Sequence, residues 1–208
     1  MKSRNSMKLY STPLSHFSRK VRAVADFYEL DIEYIDVGNV AEIGIEKYAG
    51  NPLMGVPVLE GENLWLVDSD HIIAYLARMY DSADRLRVHS TKMDDLNIRA
   101  VLNGLMSSEV RIILGKRSGI PIDEFRFFDK AKQSIAESLK WLEARAERFD
   151  PKNISMNEIH LVCALDHLRY LELVDLKPFP KLLDLSEAIG AHPTILRSSP
   201  FARKPKPR

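Results

Sequence analysis

The sequence predicts a small α/β domain followed by an all-helical domain. Three observations carry that expectation. Strand-like and helix-like segments alternate over the first eighty residues, no strand signal recurs after about residue 90, and a polar stretch, "DSADRLRVHS", separates the two patterns. The 208 residues are 45% hydrophobic and 28% charged, enough to bury sizeable cores without disulfides or metals.

The elements follow in order. "MKLYS" (7–11) reads as a short strand. "SHFSRKVRAVADFYEL" (15–30) reads as a helix, with Phe17, Val21, Val24 and Tyr28 on one face, Ser15 as its N-cap and Pro13 blocking an earlier start. "IEYIDV" (32–37) is a second strand, and "AEIGIEKYA" (41–49) a weak helix broken by Gly44. "PVLE" and "LWLVD" flank "GEN" as a hairpin, and a helix spans residues 69–79. Strand, helix, strand, helix, strand, strand, helix is the thioredoxin-like order. Its first βαβ unit is expected parallel and its hairpin antiparallel.

Beyond the 81–90 linker, helices are expected over 91–116, 122–149, 155–171 and 181–191. Asp150-Pro151 ends the second, and Ser155 to Glu158 match a capping box at the start of the third. Cys163, Leu165 and Trp141 are expected in this core. The domains are thus 7–80, a linker at 81–90, a helical domain over 91–200, and a basic tail, "FARKPKPR", with 201–208 frayed.

Composition excludes several functions. Thirty Lys and Arg against 29 Asp and Glu leave a formal charge of +1, which gives no basic field for nucleic acid. The single cysteine, Cys163, rules out an internal disulfide and a CxxC pair. The histidines lack metal-binding spacing, and His160 and His167 stand two turns apart, so no metal is expected. No run approaches a membrane span, and "MKSRNSMKLY" has no signal-peptide core, so a cytoplasmic location is expected.

Four segments together resemble the glutathione transferase superfamily over nearly the whole chain. "NPLMGVPVLEG" is similar to its Asn-Pro-x-x-x-Val-Pro-x-Leu segment, and "VDSDHIIAYL" to its Glu/Asp-Ser-x-x-Ile-x-x-Tyr-Leu segment. "SHFSRKVRAV" resembles the start of the first helix in serine- and cysteine-type classes. "ALDHLRYLELVDLKPFPKLLDLSEAIGAHPTILRSSP" resembles the end of a bacterial branch.

The resemblance implies a thioredoxin-like domain that binds reduced glutathione as co-substrate, with no prosthetic group, and a thiolate that attacks a small apolar electrophile. It implies a cis bond at Val56-Pro57, with Val56 pairing the glutathione backbone. Asp68 would take the γ-glutamyl ammonium. Ser69, with the N–H groups of Ser69 and Asp70, would take the carboxylate at a helix N-terminus, where the dipole favours an anion. Ser15 is the leading donor to the thiolate, with Ser11, Thr12 and Tyr10 as alternatives. Leu14, His16 and Phe17, with Met106, Val110, Arg111 and Ile113, would line the second-substrate pocket. His16 and Gly55 depart from the family pattern; Gly55 stands where a basic or amide residue helps hold the glycyl carboxylate, and Lys47 or Asn51 would have to substitute. A homodimer is implied, through the 61–80 region. The alternatives are a glutathione-binding or protein-interaction module with little transferase activity, or a glutathione-dependent reductase; the latter lacks a cysteine at position 15.

Overall fold

The computed structural model describes residues 7–202. Residues 1–6 and the end of the basic tail, 203–208, lie outside the described residues. The chain divides into two compact units: one runs to His89 and takes in the segment from Pro193 onward, and the other is Ser90–His192.

The first unit is built on a four-stranded sheet of order β2-β1-β3-β4. β1 (Met7–Ser11) pairs parallel with β2 (Ile32–Asp36) and antiparallel with β3 (Val58–Gly61), which pairs antiparallel with β4 (Leu64–Val67). Only Glu62 and Asn63 separate β3 from β4, and Asn63 takes the left-handed turn conformation (φ 57) that asparagine tolerates. α1 (His16–Phe27) buries Val21 and Val24, and α2 (Ser69–Tyr80) buries Ile72, Ile73 and Leu76. This is the thioredoxin-like arrangement that the element order predicts.

Two expectations for this region need correction. The helix expected over 41–49 is a single 3-10 turn, Ile45–Tyr48. Gly44 enters it at φ 120, and Ala49 and Gly50 leave it at φ 52 and 76, so a helical ladder cannot extend in either direction. The helical domain, expected to reach residue 200, ends at His192. A short helix, α7 (Pro193–Leu196), packs on α1, with Ile195 fully buried and Arg197 Nε 3.2 Å from Asp26 Oδ2. Four helical residues carry too little periodicity to reveal which unit they join.

The second unit holds α3 (Met93–Arg117), α4 (Arg126–Glu143), α5 (Met156–Tyr170) and α6 (Pro180–Gly190). α3 carries Asp94 and Asp95 in its first turn and Lys116 and Arg117 in its last, complementing its macrodipole. α4 is shorter than the expected 122–149, because Phe125 is extended and residues 146–148 form a separate 3-10 turn. α5 opens on the expected capping box: Glu158 Oε2 accepts the Ser155 N–H at 2.8 Å, and Ser155 also caps the helix. Every residue from Met156 to Leu168 is buried, so α5 is the central helix, flanked by α3 and α6. Cys163 and Leu165 lie in this core. Trp141 does not: it is half-buried, with the Arg145 guanidinium 3.9 Å over its ring.

Candidate functional site

In the first unit, the loop entering β3, the start of α2 and Phe17 of α1 enclose an open cleft of about 200 Å³. Its lining is Phe17, Asn51, Leu53, Gly55, Val56, Pro57, Asp68 and Ser69. The cleft therefore brings together the four residues that the resemblance assigns to glutathione, Val56, Pro57, Asp68 and Ser69, along with Phe17, Asn51 and Gly55.

Val56-Pro57 is a cis peptide bond. The antiparallel register of β3 with β1 begins at Val58, one residue beyond Pro57. Among the described residues, no backbone hydrogen bond of sheet or turn takes up the Val56 N–H or C=O. These groups border the cleft with their pairing capacity unspent. The loop before them is held by Asn51, which is buried. Its side-chain amide donates to the Gly55 carbonyl at 2.9 Å, and its side-chain oxygen accepts from the Leu53 N–H at 3.0 Å.

Asp68 caps α2 from a positive φ of 73. Its Oδ1 accepts from the Asp70 N–H at 2.8 Å and the His71 N–H at 3.2 Å. The expectation that the Asp70 N–H would hold a ligand carboxylate is thus corrected, since the cap already uses it. Ser69, nearly fully buried, keeps its own N–H and hydroxyl at the first position of α2, where an anion is favoured.

Lys20, fully buried on α1, forms an ion pair with Asp70 of α2 and lies 5.7 Å over the Phe17 ring. This tie joins the helix carrying Phe17 to the helix start carrying Ser69. Sequence reasoning missed it. Lys20 and Asp70 are fifty residues apart, and the only local sign was a lysine on the buried side of an amphipathic helix.

The four hydroxyl candidates occupy different environments. Ser15 is the N-cap of α1, and its Oγ accepts from the Ser18 N–H at 3.2 Å. Its own hydroxyl proton remains for donation outward. Ser15 precedes Phe17 by two residues and is not itself in the cleft lining. Thr12 Oγ1 accepts the Ser15 N–H at 3.2 Å and so braces the cap. Ser11 is buried at the end of β1. Tyr10 donates to Glu60 Oε2 at 2.9 Å, and that hydrogen bond raises the pKa of its phenol.

The residues expected to contact a second substrate sit as follows. Leu14 is half-buried, and His16 is buried with its ring edge-on to Phe17 at 4.6 Å. Phe17 lines the cleft beside Pro57 and Ser69. On α3, Met106 is fully buried beside His160, Val110 and Ile113 are half-buried, and Arg111 is exposed. One turn on from Met106, Glu109 is buried with its Oε2 2.6 Å from His167 Nδ1, and burial holds its carboxyl well above the usual range. Of the two substitutes for a residue at Gly55, Lys47 bonds to Glu42 Oε2 at 2.5 Å and to the Asn39 carbonyl at 2.6 Å, while Asn51 is spent on its own loop. Arg22 donates to the Pro13 carbonyl at 2.9 Å, a structural role at the entry to α1.

A thioredoxin-like sheet with a cis-proline at the head of β3 and an acidic cap on α2 frames the cleft. Residues 9–84 match the family model for the glutathione S-transferase N-terminal domain. A glutathione S-transferase from Methylobacillus flagellatus KT, solved with glutathione bound, is similar at TM-score 0.76 and 23% identity, over 94% of this chain and 100% of that one. A glutathione transferase family member from Pseudomonas fluorescens Pf-5, with bound glutathione, gives 0.79 and 22%, over 94% and 99%. A maleylacetoacetate isomerase from Anaeromyxobacter dehalogenans 2CP-1, with glutathione in its active site, gives 0.71 and 24%, over 98% and 100%. At these identities the likeness establishes the fold. No curated sequence matches the chain significantly.

Proposed function

We propose that this protein is a glutathione transferase that binds reduced glutathione in the cleft and delivers its thiolate to a small apolar electrophile. The observation that carries this reading is the uncommitted Val56 peptide facing the same cleft as Asp68 and Ser69. A γ-glutamyl peptide needs all three. Its cysteinyl amide pairs with Val56, its ammonium meets the Asp68 oxygen not used by the cap, and its α-carboxylate takes the Ser69 N–H and hydroxyl. A free thiol is only a few per cent ionised at pH 7. The Ser15 hydroxyl, at the positive end of α1, stabilises the thiolate by donation while its oxygen keeps the cap. The chain's only cysteine, Cys163, is fully buried in α5, which counts against glutathione-dependent reduction through a mixed disulfide.

Leu14, His16 and Phe17, at the start of α1, are proposed to meet the electrophile. Exposed Trp65, Met79 and Tyr80, on and beside β4 and α2, support a homodimer through that face. No helix among the described residues is long and apolar enough to cross a membrane, and the proposed activity suits the reducing cytoplasm.

Calorimetry with glutathione, followed by conjugation rates on a panel of electrophiles, tests the proposal. Millimolar or tighter binding with turnover on at least one electrophile is expected. Absence of binding at several millimolar glutathione sinks it. Binding without turnover leaves a glutathione-binding module in its place, and light scattering reads the dimer.

A further inference from the structure

We infer that the cleft selects its thiol through the γ-glutamyl-cysteinyl portion and is indifferent to a free carboxylate at the other end. Its ligand class thus extends from glutathione to γ-glutamylcysteine and to glutathione esterified or amidated on its glycine. This rests on the glutathione reading above.

The cleft is chemically one-sided. Its polar recognition groups stand where β4 passes into α2: the Asp68 carboxylate, with one oxygen beyond the cap, and the Ser69 N–H and hydroxyl. On the side leading into β3 the lining is Leu53, Gly55 and Val56, with Leu53 three-quarters exposed. Asp68 is the one ionisable side chain among the described residues lining the cleft. One ligand carboxylate is matched by the α2 N-terminus. A second would meet an apolar border in a cleft whose only formal charge is negative, a repulsive element that works against a doubly anionic ligand.

The nearby polar groups that could reverse this are committed. Lys47 is held by Glu42 and by the Asn39 carbonyl, and Lys20 is buried in its pair with Asp70. Both functions of the Asn51 side chain close the loop on Gly55 and Leu53. At Gly55 itself there is room for a side chain, because an added Cβ would meet nothing nearer than the Leu53 carbonyl at 3.8 Å. Residue 55 is therefore a position where a cation fits and none is present.

The test is calorimetry on the full-length protein with four thiols: glutathione, its glycyl monoethyl ester, γ-glutamylcysteine and cysteinylglycine. The first three are expected to bind within about threefold of one another, and cysteinylglycine, which lacks the γ-glutamyl group, at least tenfold more weakly. Gly55→Lys should raise affinity for glutathione over its ester by about three- to fivefold, as an exposed ion pair does. If the wild-type protein binds glutathione tenfold or more tightly than both the ester and γ-glutamylcysteine, the inference falls while the glutathione reading stands. If none of the γ-glutamyl thiols binds, both fall.

Discussion

Replacing Asp68 by asparagine separates two tasks that one side chain performs. Oδ1 caps α2 through the Asp70 and His71 N–H groups, at 2.8 and 3.2 Å, while the other oxygen is assigned to the ligand ammonium. Asparagine caps nearly as well as aspartate and tolerates a positive φ, so Asp68→Asn forfeits only a few tenths of a kcal/mol of helix-dipole energy. Alanine keeps neither task and costs about 1 kcal/mol of capping. For a chain of this size that lowers Tm by roughly 2–4 °C. The ammonium contact is a charge-assisted hydrogen bond worth about 1.5–3 kcal/mol, so either substitution weakens glutathione roughly 10- to 150-fold. Thermal melts and glutathione titrations on Asp68→Asn and Asp68→Ala read the two effects separately. The expected pattern is a lowered Tm for alanine alone and weakened binding for both. Wild-type affinity in Asp68→Asn would refute the ammonium assignment, and equal Tm losses would refute the cap argument.

Ser15→Ala should lower kcat/KM about 10- to 100-fold and cost about 1 kcal/mol of capping. Tyr10→Phe should leave kcat/KM within about twofold, because the Tyr10 hydroxyl is engaged by Glu60; the reverse ranking in a conjugation assay would move the thiolate donor to Tyr10. Gly115→Ala places a Cβ 2.7 Å from the Phe128 ring and 2.9 Å from an Ile122 methyl. The overpacking cost of about 1–3 kcal/mol exceeds the gain of about 1 kcal/mol in helix propensity, so Tm should fall; a rise would show that α3 and α4 have slack there. Asp81 is buried, which pushes its carboxyl up, but Arg85, through its Nε at 3.0 Å and its backbone N–H at 2.7 Å, outweighs burial and holds the pKa below its ordinary value of 3.8. A lowered folded pKa means the unfolded chain binds more protons. The contribution is therefore present above about pH 4 and lost as pH falls through the folded value. Asp81→Asn should be less stable than wild type at pH 7, with the gap narrowing as pH falls through the folded value in denaturant titrations; a gap that persists at low pH would refute the linkage.

The strands, the sense of their pairing and the caps at Ser15 and Ser155 were legible in the sequence because each is written locally. Period-2 runs mark strands, the polar "GEN" marks the hairpin, and Ser15 and Ser155 stand directly before helical periodicity. The failures share a cause too. The 41–49 segment had apolar spacing, but the left-handed backbone at Ala49 and Gly50 overrode it. Trp141 looked like core from its hydrophobicity, yet its ring carries Arg145 at the surface.

Taken alone, then, the sequence determined where the strands and the long helices lie, where α1, α2 and α5 begin, and which residue types stand ready for a thiol peptide. Propensity, periodicity and capping act over a few residues and need no knowledge of the rest of the chain. Tertiary structure decided how those residues are spent. The Asp70 N–H went to a cap, Lys20 was buried against Asp70 from fifty residues away, Lys47 was tied to Glu42, and α7 was returned to α1. Each of these depends on which distant group arrives within hydrogen-bonding reach, and that is settled only when the backbone has closed around its cores.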